Sequence, residues 1–156
     1  MTTPSLEQIE VAHQKVADMI AAFKTGAAAQ SVRTITIAHS EIVLQPGEHY
    51  AGLILGAGGA PDYHLVLLPG DVEDVNWEAA KEFAATAGGE LPTRREQSLL
   101  FANLKDQFEG AWYWSSEQHA ANDDFAWSQD FDYGGQNFII KSAGLRARAV
   151  RRLTIQ

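Results

Sequence analysis

The chain of 156 residues contains no cysteine. This absence excludes disulfide bonds, thiolate metal ligands and thiol catalysis together, so packing and hydrogen bonds alone must stabilise the fold. No stretch approaches the roughly eighteen consecutive apolar residues of a membrane-spanning helix. The first four residues also lack the basic segment and apolar run of a signal peptide. We therefore expect no signal peptide and no membrane insertion.

Basic residues are scarce, because 12 lysines and arginines stand against 20 acids and give a net charge of −8. The acidic surplus lies in residues 1–111, which hold 15 acids and 7 bases, whereas residues 112–156 hold 5 of each. An acidic surface repels phosphates, so nucleic acid is not an expected partner. Apolar residues make up 46% of the chain, which is enough for the core of one domain with an appendage.

The N-terminal segment has the pattern of an amphipathic helix. Ser5 and Gln8 form a capping signal, and Thr25-Gly26 forms a stop signal. The positions between them repeat at alternating spacings of three and four, as in a coiled-coil seam: Leu6, Ile9, His13, Val16, Ile20 and Phe23. The pattern predicts that residues 1–30 form a helix and linker that serve as an oligomerisation stem. The alternative is an amphipathic helix that packs on its own domain.

Residues 31–156 are then expected to form the body of the protein. Alternating β-branched residues predict a short hairpin or edge strand over 32–37 and 42–44, before a turn at Pro46-Gly47. Two apolar runs, 50–55 and 63–68, flank a glycine-rich segment. A phosphate-binding loop would need a helix directly after the glycines. Because Pro61 and a strand-like run follow instead, the segment predicts a hairpin loop.

The middle of the body has helical periodicity, and strand patterns return after it. Apolar spacing from Trp77 to Ala87 predicts a helix that ends at Gly88-Gly89. A capping box at Thr93 and Glu96 predicts a second helix, whose inward residues should be Leu99, Leu100, Ala102 and Leu104. Four strands are expected after Gly110, at 112–116, 125–131, 137–141 and 145–153. Helices flanked by antiparallel strands predict an α+β fold.

Three motifs in this half carry a resemblance to a known family. They are Trp77-Glu-Ala-Ala with Gly89-Glu-Leu-Pro-Thr-Arg-Arg-Glu96, then Trp112-Tyr-Trp-Ser-Ser116, and Arg146-Ala-Arg-Ala-Val-Arg-Arg152. In order and spacing, residues 77–153 resemble the DUF1566 family, also called the Lcl C-terminal domain. The resemblance implies a C-type-lectin-like core in which the terminal strands pair, two helices flank the body, and a later sheet displays a ligand face. Such domains occur in bacterial adhesins that bind sulfated glycans and in many phage and prophage proteins.

The enzymes similar to this family use residues that the chain lacks. Formylglycine-generating oxidases need active-site cysteines, and the related iron enzymes need clustered histidines. The histidines here are scattered through the sequence, at His13, His39, His49, His64 and His119. We therefore expect no catalytic residues, no metal ligands and no cofactor. A calcium site at Asn122, Asp123 and Asp124 is an alternative, although the usual sugar-site motifs are missing.

The segment from 117 to 137 is the expected ligand-binding region, because its polar turns carry aromatic side chains suited to adaptable contacts. The candidates are Glu117, His119, Asn122, Asp123, Asp124, Phe125, Asp132, Tyr133, Gln136 and Asn137. Trp112, Trp114 and Trp127 are expected in the core. The closing arginines are expected to pair with the five acids of the same region, and binding of sulfate or phosphate groups is the alternative.

Together with the resemblance, these patterns predict a noncatalytic binding protein of phage or prophage type that recognises a cell-surface glycan or protein as a homo-oligomer. It would be virion-associated or lie in the host cytoplasm. The alternative is an intracellular phage-encoded protein that binds and modulates a host protein, such as a defence component.

Overall fold

A computed structural model describes the backbone of residues 5–28 and 41–155, and the side chains of residues 5–24 and 41–155. The chain divides into two compact units, Met1–Ala38 and His39–Gln156. The expected α+β class is confirmed: the described residues contain three α-helices and two mostly antiparallel sheets. None of the described helices is both long and apolar enough to cross a membrane.

The first unit contains helix α1, Leu6–Ala28, which confirms the predicted N-terminal helix. The Ser5 amide donates to Gln8 Oε1 at 3.0 Å, and the Gln8 amide donates to Ser5 Oγ at 3.3 Å. These reciprocal bonds satisfy amides that have no partner inside the helix. The helix continues past Gly26, where the sequence predicts a stop. The strand predicted at 32–37 lies outside the described residues.

The second unit begins with a three-stranded antiparallel sheet. It consists of β1 (His49–Ile54), β2 (Tyr63–Leu67) and the last strand, β8 (Val150–Thr154), in the order β1-β2-β8. The predicted hairpin loop is confirmed, since β1 and β2 pair antiparallel on either side of it. The loop is tight at Gly56, where a Cβ would lie 1.8 Å from the Ala60 carbonyl oxygen. The strand predicted at 42–44 is wrong. The Val43 carbonyl accepts from the Arg151 side chain at 3.1 Å, so a side chain takes the place of a strand partner.

A five-stranded sheet forms the other side of the unit. Its members are β3 (Val72–Val75), β4 (Trp112–Gln118), β5 (Phe125–Asp130), β6 (Gln136–Ile140) and β7 (Leu145–Ala147), in the order β3-β7-β4-β5-β6. Only β4 and β7 pair in parallel. The sequence does not predict β3, because Val-Glu-Asp-Val offers few apolar residues.

The single strand predicted over 145–153 is wrong, because β7 and β8 belong to different sheets. The chain crosses between them at Arg148 and Ala149. The guanidinium of Arg148 donates to the carbonyls of Gln107 at 2.6 Å and Leu68 at 3.0 Å. The Ala149 carbonyl accepts from the Leu68 amide at 2.9 Å. These bonds fix the crossing. The sequence does not predict it, because small and basic residues alternate without a break from Arg146 to Ala149.

Two helices lie between β3 and β4 in the chain. Helix α2, Trp77–Thr86, starts at Asn76, whose side chain accepts from the Ala79 amide at 2.9 Å. Helix α3, Arg94–Leu104, starts at the predicted capping box of Thr93 and Glu96, which is confirmed, and a short 3₁₀ turn at Lys105–Gln107 follows it. The two helices cover different parts of the core. One hydrophobic cluster contains Trp77 and Trp114, and the other contains Leu100 and Tyr113.

The predicted inward face of α3 is partly wrong. Leu100 is fully buried and Leu99 and Leu104 are half-buried, but Ala102 is exposed. Glu96 and Gln97 are buried in its place. Of the tryptophans expected in the core, Trp114 is fully buried, whereas Trp112 and Trp127 are half-buried.

The buried carboxylate of Glu96 joins α3 to two strands of the small sheet, β2 and β8. Arg152 on β8 donates from Nε and Nη2 to its two oxygens, at 2.6 and 2.9 Å. Tyr63 on β2 donates from its hydroxyl at 2.8 Å. Burial raises the pKa of Glu96, but the bonds from Arg152, Thr93 and Tyr63 outweigh it, so the pKa lies below its usual value. Arg152 also pairs with Glu90.

The other closing arginines also contact earlier segments. Arg146 pairs with Asp71 at 2.9 Å and with Glu73 at 2.7 Å, and Arg151 pairs with Glu48 at 2.7 Å. The expectation that these arginines pair with the acids of residues 117–132 is therefore wrong. Their partners come from residues 48–96, so the acidic surplus of the first part of the chain is neutralised in part within the fold.

Replacement of Arg152 by methionine should destabilise the protein by about 3–5 kcal/mol, because it leaves the buried Glu96 carboxylate without its cation. Urea unfolding measures the change. Arg146→Met is the control, since both of its partners keep solvent contact, Asp71 with 29% and Glu73 with 73% of the side chain exposed, and it should cost about 1 kcal/mol. Equal effects of the two changes would contradict the assigned role of Glu96.

The stability should depend on pH through Glu96 and Glu48. Burial raises the pKa of Glu96, but the hydrogen bonds from Arg152 and its other partners lower it by more, so the net pKa is lowered. The hydrogen bond from Arg151 is the main cause that lowers the pKa of Glu48. The stabilisation is therefore complete above the unfolded-state pKa of 4.5 and is lost as the pH falls through the lower folded-state values. Urea midpoints between neutral pH and about pH 3 test this. A Glu96→Gln variant should show a flatter acid limb.

Candidate functional site

The hairpin of β5 and β6 presents an open row of apolar side chains. In the antiparallel register, Phe125 lies opposite Ile140 and Trp127 lies opposite Phe138. Because side chains alternate along a strand, these four share one face of the sheet. The intervening Ala126 belongs to the core on the opposite face. We call Phe125, Trp127, Phe138, Ile140 and the neighbouring His119 the aromatic face.

The rings of the aromatic face pack against one another but remain accessible. The Phe138 ring centroid lies 4.4 Å from that of His119, 5.5 Å from that of Trp127 and 5.8 Å from that of Phe125. Phe138 and Ile140 are 42% and 48% exposed. Large apolar side chains grouped on a surface are typical of interaction sites, and their mutual contacts fix their orientation before a ligand arrives.

Helix α3 explains why this face is open. Further along the sheet the same face carries Tyr113 and Gln129, which are buried. The side chain of Gln97 in α3 donates to the Tyr113 carbonyl there, at 3.0 Å. The helix begins at Arg94, whose guanidinium stacks 3.5 Å above the Trp127 ring. The first turn of α3 is therefore the border between the covered and the uncovered part of the sheet.

Glu117 supports that border. Its Oε1 accepts from the Arg94 backbone amide at 2.8 Å. This contact lies at the N-terminal end of α3, where a negative charge is favourable. This places the predicted ligand residue Glu117 in a contact that holds α3 to β4. His119 follows β4, and its amide donates to the Phe125 carbonyl at 2.9 Å. Its Nδ1 is buried without a hydrogen-bond partner.

The predicted ligand residues in the turn before β5 lie next to the aromatic face. Asn122 Oδ1 accepts from the Asp124 amide at 3.1 Å, and the Asn122 carbonyl accepts from the Phe125 amide at 3.2 Å. Asp123 and Asp124 are exposed. Within the described part of the chain, neither carboxylate pairs with a cation.

Two more predicted ligand residues lie at the opposite end of the hairpin. Asp132 and Tyr133 occupy the turn after β5, and Tyr133 is 87% exposed. Gly134 is required in this turn, since its φ is +85° and a Cβ would lie 2.8 Å from the Phe101 ring. The length of β5 separates this turn from the Asn122 turn by about 17 Å. The predicted residues of the two turns thus lie on either side of the aromatic face, to which two other predicted residues, His119 and Phe125, belong.

Gln136 and Asn137 belong to β6 itself. The side-chain nitrogen of Gln136, Nε2, donates to the Arg94 carbonyl at 2.7 Å and to Gln129 Oε1 at 2.8 Å. Its side-chain oxygen, Oε1, accepts from Arg94 Nε at 3.1 Å. It therefore fixes the hairpin to α3. Asn137 is exposed, and its Oδ1 accepts from the Phe138 amide at 2.9 Å.

Sequence reasoning does not identify Arg94, Trp127, Phe138 and Ile140 as parts of this surface. Arg94 is noted only beside a capping box, and Trp127 is assigned to the core. A signal for the other two was present, because Gln-Asn-Phe-Ile-Ile is a strand pattern without a charge, bounded by turns. Successive residues of a strand face in opposite directions, so the apolar residues of this segment lie on both of its faces, within the core or outside it.

The side chains of the region are mainly apolar and acidic. No group of three histidine, aspartate or glutamate side chains among residues 5–28 and 41–155 is arranged to hold a metal ion. The surface instead combines aromatic rings, aliphatic side chains and unpaired carboxylates at its borders. Such a combination suits a ligand with both apolar and basic or hydrogen-bonding groups.

The second predicted functional region, the seam of α1, is open in the structure. Its five apolar residues are between 50% and 78% exposed: Leu6, Ile9, Val16, Ile20 and Phe23. His13 is also exposed. The regular helix places them along one stripe.

Comparison with known proteins does not identify a relative: no protein-family model matches the sequence, and no curated protein matches it.

Alanine substitutions should separate the two predicted residues of the β5–β6 hairpin. Tyr133→Ala should change the unfolding free energy by less than about 0.5 kcal/mol, because the side chain is exposed. Gln136→Ala should cost about 1–3 kcal/mol, because it removes bonds to α3 and to Gln129. Chemical denaturation measures both. Equal effects would show that Gln136 does not hold the hairpin to the helix.

Proposed function

We propose that the chain is a noncatalytic phage- or prophage-type binding protein, with a C-type-lectin-like body that recognises a protein or glycan of the host cell surface. The ligand-binding surface is the aromatic face together with the two flanking turns. Helix α1 assembles the chain into a homo-oligomer. Several weak sites on one stem then gain avidity without new contacts.

The arrangement of the second unit supports the lectin-like part of this proposal. The last strand, β8, pairs with the hairpin of β1 and β2. Two helices flank the sheets, and the later sheet leaves part of one face uncovered. The two helices and the partly uncovered later sheet are in line with what the resemblance to the DUF1566 family implies. The terminal strands differ from it, because β1 and β8 lie on either side of β2 and do not pair with each other.

One observation carries the functional proposal: Phe138 and Ile140 are about half exposed on the edge strand β6, opposite Trp127 and Phe125. Exposure of a single apolar side chain is ordinary, but adjacent ones joined to Phe125 and Trp127 form a continuous surface. The surrounding contacts hold the rings in place, so binding loses little side-chain entropy there.

The chemistry of the aromatic face also favours the alternative reading, in which an intracellular phage-encoded protein binds and modulates a host protein. Aliphatic Ile140 beside Phe138 suits apolar side chains of a protein better than a sugar ring, which is hydroxylated at most positions. Both readings use the same surface, and they differ in where the ligand is found.

Binding to intact bacterial cells, compared with capture from a lysate of the same cells, tests the proposal. Phe138→Ser and Ile140→Ser should each weaken binding about tenfold or more, because they remove anchors from the centre of the surface. Val43→Ser is the matched control, since Val43 is 73% exposed and lies outside this surface. Binding only from lysate would favour the intracellular alternative. Unchanged binding by both variants would contradict the proposal.

The oligomer is tested on α1. Ile9→Asp combined with Ile20→Asp places charges in the seam and should lower the molecular mass in solution while the second unit remains folded. Light scattering coupled to size exclusion measures the mass, and far-UV circular dichroism measures folding. Val11→Asp is the control, because Val11 is equally exposed but lies off the seam. An unchanged mass for the double variant would contradict self-association through α1.

A further inference from the structure

Strand β6 lies at the edge of the five-stranded sheet. The strand sequence, Gln136–Ile140, contains no charged residue and no proline. Natural sheets usually protect an edge with lysine, proline, a bulge or a covering segment, because an unprotected edge pairs with any extended chain. β6 has five residues in regular register with β5 and no bulge. Within residues 41–155, no strand pairs with its other side.

The register shows which backbone groups point outward. The Lys141 amide donates to the Asp124 carbonyl, and the Asp130 amide donates to the Gly135 carbonyl. Because bonded and non-bonded pairs alternate in an antiparallel ladder, the pairs between them that bond across β5 and β6 contain Asn137 and Ile139. The amides and carbonyls of Phe138 and Ile140 therefore point to the free side of β6.

Three of these outward groups are open to a partner. The Phe138 amide is bonded only to the side chain of the preceding residue, Asn137, at 2.9 Å, and a partner carbonyl can displace that side chain. The Phe138 carbonyl and the Ile140 amide lie on the same side. The Ile140 carbonyl is occupied, because it accepts from the Ala143 amide at 2.9 Å. In an antiparallel partner, a residue opposite Phe138 would thus form two backbone bonds, and the residue two positions further, opposite Ile140, would form a third.

The charges around the edge select the kind of chain that fits. Asp123 and Asp124 lie at one end of the hairpin, and Asp130 and Asp132 lie at the other. None of the four forms an ion pair within the described residues. The cations beside the edge are already engaged. Lys141 contacts Gln118 Oε1 at 2.6 Å and the Trp77 ring at 4.3 Å. Arg94 contacts Gln136 Oε1 at 3.1 Å and the Trp127 ring at 3.5 Å, and Lys105 donates to the backbone carbonyl of Asp132 at 2.7 Å. The edge is therefore complementary to a basic segment.

The same charges disfavour a second copy of this chain. An antiparallel pair of β6 strands would bring the Asp123 end of one copy against the Asp132 end of the other. Like charges placed opposite each other across strands are destabilising. The net charge of −8 adds to this repulsion.

We propose, resting on the binding function above, that β6 binds an extended basic segment of a partner protein by adding it as a sixth strand of the sheet. Backbone bonds to Phe138 and Ile140 supply the pairing. Alternate apolar side chains of the segment lie on the aromatic face, and its basic side chains reach the aspartates at both ends.

The test uses the full chain and a short fluorescein-labelled peptide of alternating lysine and valine as the probe. The peptide should bind with an affinity that falls as the salt concentration rises. The same peptide with glutamate in place of lysine, or with alternate valines replaced by proline, should bind at least about tenfold more weakly. Equal binding of all three peptides, or no binding of the basic one, would overturn the proposal.

Variants of the edge locate the site. Ile140→Pro removes one outward amide without removing a bond to β5, and it should weaken peptide binding about tenfold more than Ile140→Ala does. Ile140→Ala keeps the amide and is the matched control for the lost side chain. Asp123→Asn with Asp124→Asn should reduce the salt dependence, whereas Glu82→Gln, an exposed change on α2, should not. Binding equally weakened by Ile140→Ala and Ile140→Pro would show that backbone pairing is not used.

Hydrogen exchange by NMR on the unmodified chain keeps the test independent of how the variants fold. The peptide should slow exchange of the Phe138 and Ile140 amides, and a bound peptide that leaves both unprotected would overturn the proposal. A peptide-independent gain of mass that Ile140→Pro abolishes, in chains carrying the α1 seam substitutions, would identify a second copy as the occupant instead. Binding to cells by a chain that ignores the peptide would leave the proposed function standing and reject the strand addition alone.

Discussion

The structure of the second unit depends on one buried ion pair, between Glu96 at the start of α3 and Arg152 on the last strand. A carboxylate without solvent contact is stable only where hydrogen bonds surround it, and here Arg152, Tyr63 and the Thr93 amide provide them. These bonds fix the first turn of α3 relative to β2 and β8. Because Arg94 lies in that same turn and stacks on Trp127, the position of Glu96 also determines where the helix stops covering the sheet. The uncovered aromatic face is a consequence of that boundary.

The fold brings the acidic first part of the sequence together with its arginine-rich end. The acidic first part and the arginine-rich end appear separate along the chain, but Arg146, Arg151 and Arg152 pair with acids of residues 48–90 and with Glu96. Arg148 is held by backbone carbonyls. The arginines are therefore used inside the molecule, which removes most of their capacity to bind sulfate or phosphate. The acids of residues 123–132 keep no cation among the described residues, so their charge is available to a ligand.

Local patterns predicted the helices and most strands, because caps, turns and periodicity depend on residues close in sequence. The capping box at Thr93 and the hairpin loop after β1 are examples. Features that depend on distant residues escaped prediction. The break at Arg148 arises from carbonyls of Gln107 and Leu68, and the burial of Glu96 arises from a residue 56 positions later. The candidate site shows the same division. Its exposed turns and two residues of the aromatic face, His119 and Phe125, were predicted, but Trp127, Phe138 and Ile140 join them only through the pairing of β5 with β6 and the endpoint of α3.

The proposed function requires that ligands contact the protein at the aromatic face. Photo-crosslinking measures this directly, with a benzoyl-phenylalanine incorporated at position 138 and, separately, at the exposed position 43. After irradiation with bacterial cells or their lysate, the account predicts a discrete crosslinked product from position 138 and none from position 43. Crosslinking that is absent from position 138, or equal at the two positions, would contradict it.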